Sequence, residues 1–301
     1  MNNQNESALA YFARMQSQKS PDDFYHRPEI WDERAQAWAE QYGDPRNAKS
    51  EDRVQANIDY LLERGALTPD SDVVDIGCGP GRFVAGFARR ARHVLGIDFS
   101  EKMIEQSRIY MQQEGITNAS FMVHDFNALD ATGKNLAGKF DLVFASNTPA
   151  VQELEGLEKA IELSRKYCAI VTQIQSKNLL ENRIMGEVFG RRPHPGPSGQ
   201  WFYAAFNILF LMGYYPQTSY YNRHSECSVS PAPDYAKILM ERMLPPDKRT
   251  SENEGLICEW LRAHAGPDGS VSEVRNIRYG RILWDVRERT ERPAYPCPEY
   301  R

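Results

Sequence analysis

Residues 73–100 constrain this chain more than any other stretch. They run Val-Val-Asp-Ile-Gly-Cys-Gly-Pro-Gly-Arg, then place Phe83, Val84, Phe87 and Ala88 at helical spacing, then continue His-Val-Leu-Gly-Ile-Asp-Phe-Ser. Two short apolar runs around one amphipathic helix read as strand, turn, helix, strand. A crossover of that kind joins parallel strands and builds a sheet with helices on both faces.

The alternation continues along the chain. Val54, Ile58, Leu61 and Leu62 mark a helix over residues 50–65, stopped by Gly65. Ser100 can cap a helix whose buried face would hold Met103, Ile104 and Met111. Strands are predicted at 119–126, 139–147 and 168–175, with a helix at 151–167. Beyond them the pattern predicts a helix at 178–189, a Pro/Gly loop at 190–199 and a hydrophobic helix at 201–213. A candidate strand at 220–228, helices at 234–243 and 253–265, and a last strand within 271–286 complete the chain. No second independent core is evident.

The order of the glycines narrows the ligand. A strand, a glycine turn, a helix and a second strand with an acidic end make the architecture of an adenosine-type cofactor site. In the dinucleotide fingerprint G-x-G-x-x-G the third glycine would fall at position 82, where this chain has Arg82; here the spacing is Gly77-x-Gly79-x-Gly81. Asp75 also lies inside the first strand. Both departures favour S-adenosylmethionine over NAD. The run Asp75-Ile76-Gly77-Cys78-Gly79-Pro80-Gly81 resembles the glycine motif of the class I S-adenosylmethionine-dependent methyltransferases, Asp/Glu-x-Gly-x-Gly-x-Gly, at every defined position.

The resemblance covers about residues 50–230 and the last strand. It implies an α/β fold with a doubly wound, mostly parallel seven-stranded sheet that finishes in a hairpin with an antiparallel last strand. On this reading residues 1–49 are an N-terminal helical cap, and residues 50–301 are the cofactor-binding domain with a helical insertion at about 231–268.

Ligands of such sheets sit outside the carboxyl ends of the strands, which selects the cofactor residues. Asp75, Gly77, Cys78, Gly79 and Gly81 belong to the motif, with Cys78 read as a small filler ahead of a nucleophile. Asp98, about 20 residues on, can accept from two ribose hydroxyls, and Phe99 can lie against the adenine. Met103 is counted with them. The family implies an acidic residue at the end of the third strand that accepts from the adenine amino group; Asp125 holds that place, with turn capping as its other explanation, and Phe126 can pack on the ring. At the end of the fourth strand, Asn147-Thr148-Pro149-Ala150 stands where the family places its acceptor-facing loop. Asn147 either orients substrate and cofactor or is ordinary turn chemistry. The loop lacks the second proline and the aromatic residue of the Asn/Asp-Pro-Pro-Tyr motif, and a flipped base needs that stacking surface.

Acceptor residues are less marked. Trp31, Ala35 and Trp38 share one helix face, so core packing is the default, and a cap over the pocket is the alternative. Tyr203, beside Trp201 and Phe202, could line the same cavity. His194, in Arg191-Arg192-Pro193-His194-Pro195, and His26 are candidate bases, although a plain surface connection also explains the loop. No general base follows from sequence.

Composition limits the partners. The chain has 301 residues with a formal net charge of −5, which supplies no global positive field for nucleic acid. Arg89-Arg90-Ala91-Arg92 is the obvious basic patch, but it ends a helix, where cations complement the dipole. Five scattered cysteines without C-x-x-C spacing argue for reduced thiols in a cytoplasm and against structural zinc. The N-terminal Met-Asn-Asn-Gln-Asn-Glu does not read as a signal peptide, and the longest nearly apolar run, 201–215, is too short to span a bilayer. The expected activity is methyl transfer from S-adenosylmethionine to a small-molecule acceptor. A non-catalytic S-adenosylmethionine-binding protein and a methyltransferase acting on a macromolecule are the alternatives.

Overall fold

The computed structural model describes residues 3–16, 27–40, 48–192 and 199–293. Seven strands form one sheet: β1 (Asp72–Ile76), β2 (His93–Asp98), β3 (Ala119–Val123), β4 (Phe140–Ser146), β5 (Ser164–Asn178), β6 (Gln217–Val229) and β7 (Val271–Asp285). Their order is β3-β2-β1-β4-β5-β7-β6. The first five pair in parallel, with Val74 opposite both Leu95 and Val143. Side-chain pairs show that β7 runs against both neighbours: Asn222 meets Arg278 and His224 meets Asn276, while Gln173 meets Tyr279 and Asn178 meets Glu273. The sheet is therefore doubly wound and mostly parallel, as the sequence predicts. Its strand order reverses between β1 and β4, and a crevice opens at such a point.

Ten helices are described: α1 (Asn3–Gln16), α2 (Pro28–Glu40), α3 (Ala48–Glu63), α4 (Arg82–Ala88), α5 (Glu101–Gln113), α6 (Leu154–Leu163), α7 (Leu179–Glu187), α8 (Gln200–Leu211), α9 (Pro233–Met243) and α10 (Ser251–Ala263). The helix expected over 151–167 is shorter at both ends. Pro149–Val151 forms a 3-10 turn capped by Thr148. At the other end, residues from Ser164 join the sheet beside β4, because Arg165 and Lys166 both reach the Asp141 carboxylate. Likewise β3 stops at Val123, short of the expected 126, since Asp125 caps a 3-10 turn at Phe126–Ala128.

The chain divides into two compact units, Met1–Thr172 with Gln200–Ser219 and Gly280–Arg301, and Gln173–Gly199 with Tyr220–Tyr279. In the first, β1 and β4 are buried on both faces, and Phe83, Phe87 and Phe144 pack ring to ring beneath the crevice. There α1 packs on α8 and α2 on α5. The second unit has a core of its own, gathered by α7, α9 and α10 around Ile184, Leu239, Ile257 and Leu261. No local pattern separates it, because its two pieces are discontinuous in the chain. Among the described residues no helix is long and apolar enough to cross a membrane. Cys78, Cys168, Cys227 and Cys258 are free thiols.

Candidate cofactor site

The site is built by the turn that leaves β1. Gly77, Gly79 and Gly81 have φ of 64°, 53° and 87°, a left-handed region in which a side chain is strained. Their surroundings differ. A Cβ on Gly77 would collide with the Thr148 hydroxyl, and one on Gly81 would press on Ser107, whereas the space beside Gly79 is open. Two glycines thus serve close packing, and the third leaves a cradle that a ligand can enter. The Gly77 and Cys78 amides donate to the Ile97 carbonyl at 2.8 and 3.1 Å, and the Ser107 hydroxyl donates to the Gly79 carbonyl at 2.7 Å. The turn is therefore held from β2 and from α5.

Asp98 closes the other side. Its Oδ2 accepts from the Gly79 amide at 2.9 Å and its Oδ1 from the Ser100 amide at 3.0 Å. Burial pushes this carboxyl above its usual range, with amide hydrogen bonds opposing the shift. Asp75 is 2% exposed; burial and the neighbouring Asp98 charge raise its pKa, while Arg53 lowers it. Cys78 is buried, and burial together with both carboxylates keeps its thiol protonated.

Arg53 comes from α3. Its Nη1 donates to the Ser146 hydroxyl at 3.0 Å at the end of β4, and its guanidinium stands 5.0 Å from the Phe83 ring centre. In sequence it is one more polar residue of an amphipathic helix, and nothing there marks it. The first unit's fold sets its charge close to Asp75.

Of the other residues expected here, Phe99 is half-buried beside Asp98 and Met103 is in the core, its amide donating to the Ser100 hydroxyl. Asp125 is exposed and caps the turn after β3 through the Asn127 amide at 2.9 Å. Phe126, 3% exposed, packs beneath that turn. Asn147 is exposed, with φ of 52°, and its amide donates to Val171 at 2.9 Å. Trp31 is half-buried on α2, with the Arg34 guanidinium 5.8 Å from its ring. Tyr203 is exposed on α8 and meets Phe12 edge-on at 5.6 Å. His26, His194 and the side chain of Trp38 lie outside the described residues. Arg89 is paired with Glu114, and Arg92 with Asp72. Among the described residues no three His, Cys, Asp or Glu side chains gather as metal donors.

A family model described as a methyltransferase domain matches residues 67–182, which run from before β1 into α7 and include the glycine turn, Asp98 and the Asn147 loop. Over those residues, less than half of its length, the chain is similar to methyltransferase domains, and its glycine turn resembles that of the class I S-adenosylmethionine-dependent enzymes. The methyl donor of the family is S-adenosylmethionine, and the open side of Gly79 and the buried Asp98 carboxylate suit an adenosine ligand. The methyltransferase domain has curated relatives of several kinds. An uncharacterized protein of Haemophilus influenzae is 24% identical over 67% of this chain and 70% of its own length. A ubiquinone biosynthesis O-methyltransferase of Acinetobacter baumannii is 29% identical over 36% of this chain and 44% of its own. A 23S rRNA (uracil(1939)-C(5))-methyltransferase of Alkalilimnicola ehrlichii is 33% identical over 30% of this chain and 20% of its own. The chain thus spans less than half the length of the latter two. Among solved structures, magnesium protoporphyrin IX methyltransferase of Synechocystis is 15% identical over 81% of this chain and 92% of its own, with a TM-score of 0.44.

Proposed function

We propose that the protein transfers a methyl group to a small-molecule acceptor. The cofactor would supply the methyl on an electrophilic sulfonium carbon. Asp98 would hold the ribose hydroxyls, and Gly79 would admit the ligand to the main chain. Asp75 and Arg53 offer one negative and one positive group near the ends of β1 and β4, which complements the ammonium and carboxylate of the methionine end. An ammonium there would also relieve the repulsion between Asp75 and Asp98. Asn147 and Thr148, at the end of β4, would face the acceptor. Placing the acceptor in line and excluding water supply much of the rate in such a transfer. The N-terminal helices would form the cap, with Trp31 and Tyr203 available to an apolar acceptor.

The observation that carries the small-molecule reading is the state of the basic run. Arg89 and Arg92 are tied up in ion pairs with Glu114 and Asp72, so two of the three cations of the obvious basic run are offset at the surface. The Asn147 loop offers no aromatic platform for a base either.

Two measurements test the proposal. S-adenosylhomocysteine at a hundredfold above its dissociation constant should stabilise the protein by about 2.7 kcal/mol, with NAD giving no shift. Methyl-labelled S-adenosylmethionine should then mark the small-molecule fraction of a cell extract. Label appearing in RNA or protein would overturn the acceptor class, and binding without any labelled product would make the protein a non-catalytic binder.

A further inference from the structure

Asp32 on α2 reaches the residue that supports the proposed ribose acceptor. Its Oδ1 accepts from the Ser100 hydroxyl at 2.5 Å and stands 3.4 Å from the Lys102 amide. Ser100 is fully buried and does three things at once. Its hydroxyl accepts from the Met103 amide at 3.1 Å as the N-cap of α5, it donates to Asp32, and its amide donates to Asp98 at 3.0 Å. A continuous chain of hydrogen bonds therefore runs from Asp32 through Ser100 and Asp98 to the Gly79 amide. Asp32 also brings a negative charge to the first turn of α5, where the helix dipole favours it. The same α2 buries Ala35 and packs on α5.

We infer that Asp32 is a positioning residue through which docking of α2 and binding of the cofactor's adenosine end favour each other. The inference rests on the cofactor reading above. When α2 is docked, Asp32 fixes the Ser100 hydroxyl, and the Ser100 amide then holds Asp98 in the rotamer that accepts from the Gly79 turn. When α2 is undocked, Ser100 loses one partner and Asp98 loses a fixed neighbour. Coupling between two equilibria is reciprocal, so a ligand that needs the ordered Asp98 must also favour docked α2.

The test is a titration of S-adenosylhomocysteine into the full-length protein and into Asp32→Ala and Asp32→Asn, with hydrogen exchange of residues 28–40 followed with and without ligand. Asp32→Ala should raise the dissociation constant roughly 5- to 30-fold. Asp32→Asn keeps an oxygen that accepts from Ser100 and should restore binding to within about threefold of the wild type. In the wild type the ligand should slow exchange in α2, and in Asp32→Ala it should not. If Asp32→Ala binds as the wild type does, or if the ligand leaves α2 exchange unchanged in a wild type that binds it, the coupling is wrong while the cofactor reading stands. If Asp32→Asn binds as poorly as Asp32→Ala, the acceptor oxygen is not the active element and the positioning role is overturned. If the wild type binds no S-adenosylhomocysteine, the cofactor reading fails first and the coupling with it. Circular dichroism of each variant separates lost binding from lost fold.

Discussion

The Asp98 carboxylate accepts from the Gly79 amide at 2.9 Å, so the end of β2 and the turn after β1 form one hydrogen-bonded unit. Each holds the other in place, and neither is a surface feature free to drift. Such prior ordering reduces the entropy that binding must spend.

Affinity should depend on pH through Asp98. Burial raises its pKa, and the charged form is the better hydrogen-bond acceptor, so protonation removes acceptor capacity as pH falls through that raised value. Calorimetric titration of S-adenosylhomocysteine should show affinity falling with pH through a transition that lies above the ordinary aspartate value of about 3.9. Asp98→Asn should bind weakly with a flat profile. A variant that kept the wild-type slope would assign the titration to another group.

Gly77 and Gly79 should respond differently to alanine. Gly77→Ala drives a Cβ into the Thr148 hydroxyl at a positive φ and should destabilise the protein by about 1–3 kcal/mol. Gly79→Ala meets no neighbour, so its stability cost is the smaller, about 1 kcal/mol of backbone strain. Both should lose cofactor binding, the second because its methyl group occupies the ligand's space. Denaturant melts and ligand titrations of the pair check this ordering.

Arg53→Met should raise the dissociation constant of S-adenosylhomocysteine about 10-fold, as expected for loss of a hydrogen bond to a charged group. Methylthioadenosine lacks the amino-acid end, so it should bind wild type and variant alike. Equal losses for both ligands would place Arg53 in the fold's support and not against the carboxylate.

Acid stability should depend on Asp141. Burial opposes its ionisation, but Arg165, Lys166 at 2.8 Å and the Asp72 amide at 2.9 Å hold its pKa below the usual carboxylate range. A depressed folded-state pKa stabilises the native state above the unfolded value, and that stability is lost as pH falls through the folded one. Asp141→Asn should therefore cost about 1–3 kcal/mol at pH 7, a difference that shrinks below roughly pH 4. Urea melts across pH measure it directly.

Thiol labelling should be selective. Cys227 is exposed, whereas Cys78 and Cys168 are buried with pKa values raised chiefly by burial. Among the described cysteines, Cys227 should be alkylated first, as read by mass spectrometry of peptides. Early modification of Cys78 would show that the glycine turn opens in solution.

The glycine motif, Asp98 and the alternation of strands and helices were legible in the sequence, because each follows from local chemistry. Glycine is needed where φ is positive and apolar runs mark buried strands, whereas an acidic residue at a strand end can also cap a turn, as Asp125 does. Local patterning was less reliable where tertiary contacts compete with helix propensity. Residues 164–167 continue a helical pattern, yet pairing with β4 and the attraction of Asp141 for Arg165 and Lys166 take them into the sheet.

The sequence by itself determined that residues 73–100 fold into a parallel unit around a glycine turn, since that signal lies within one contiguous segment. Only the tertiary structure decided that Arg53 from α3 meets Ser146 at the end of β4, that Asp32 from α2 meets Ser100 beside Asp98, and that the second unit gathers a core of its own around Ile184, Leu239 and Leu261. Those relations join residues far apart in the chain, and their geometry is set by how helices pack once the sheet exists, which no local periodicity records.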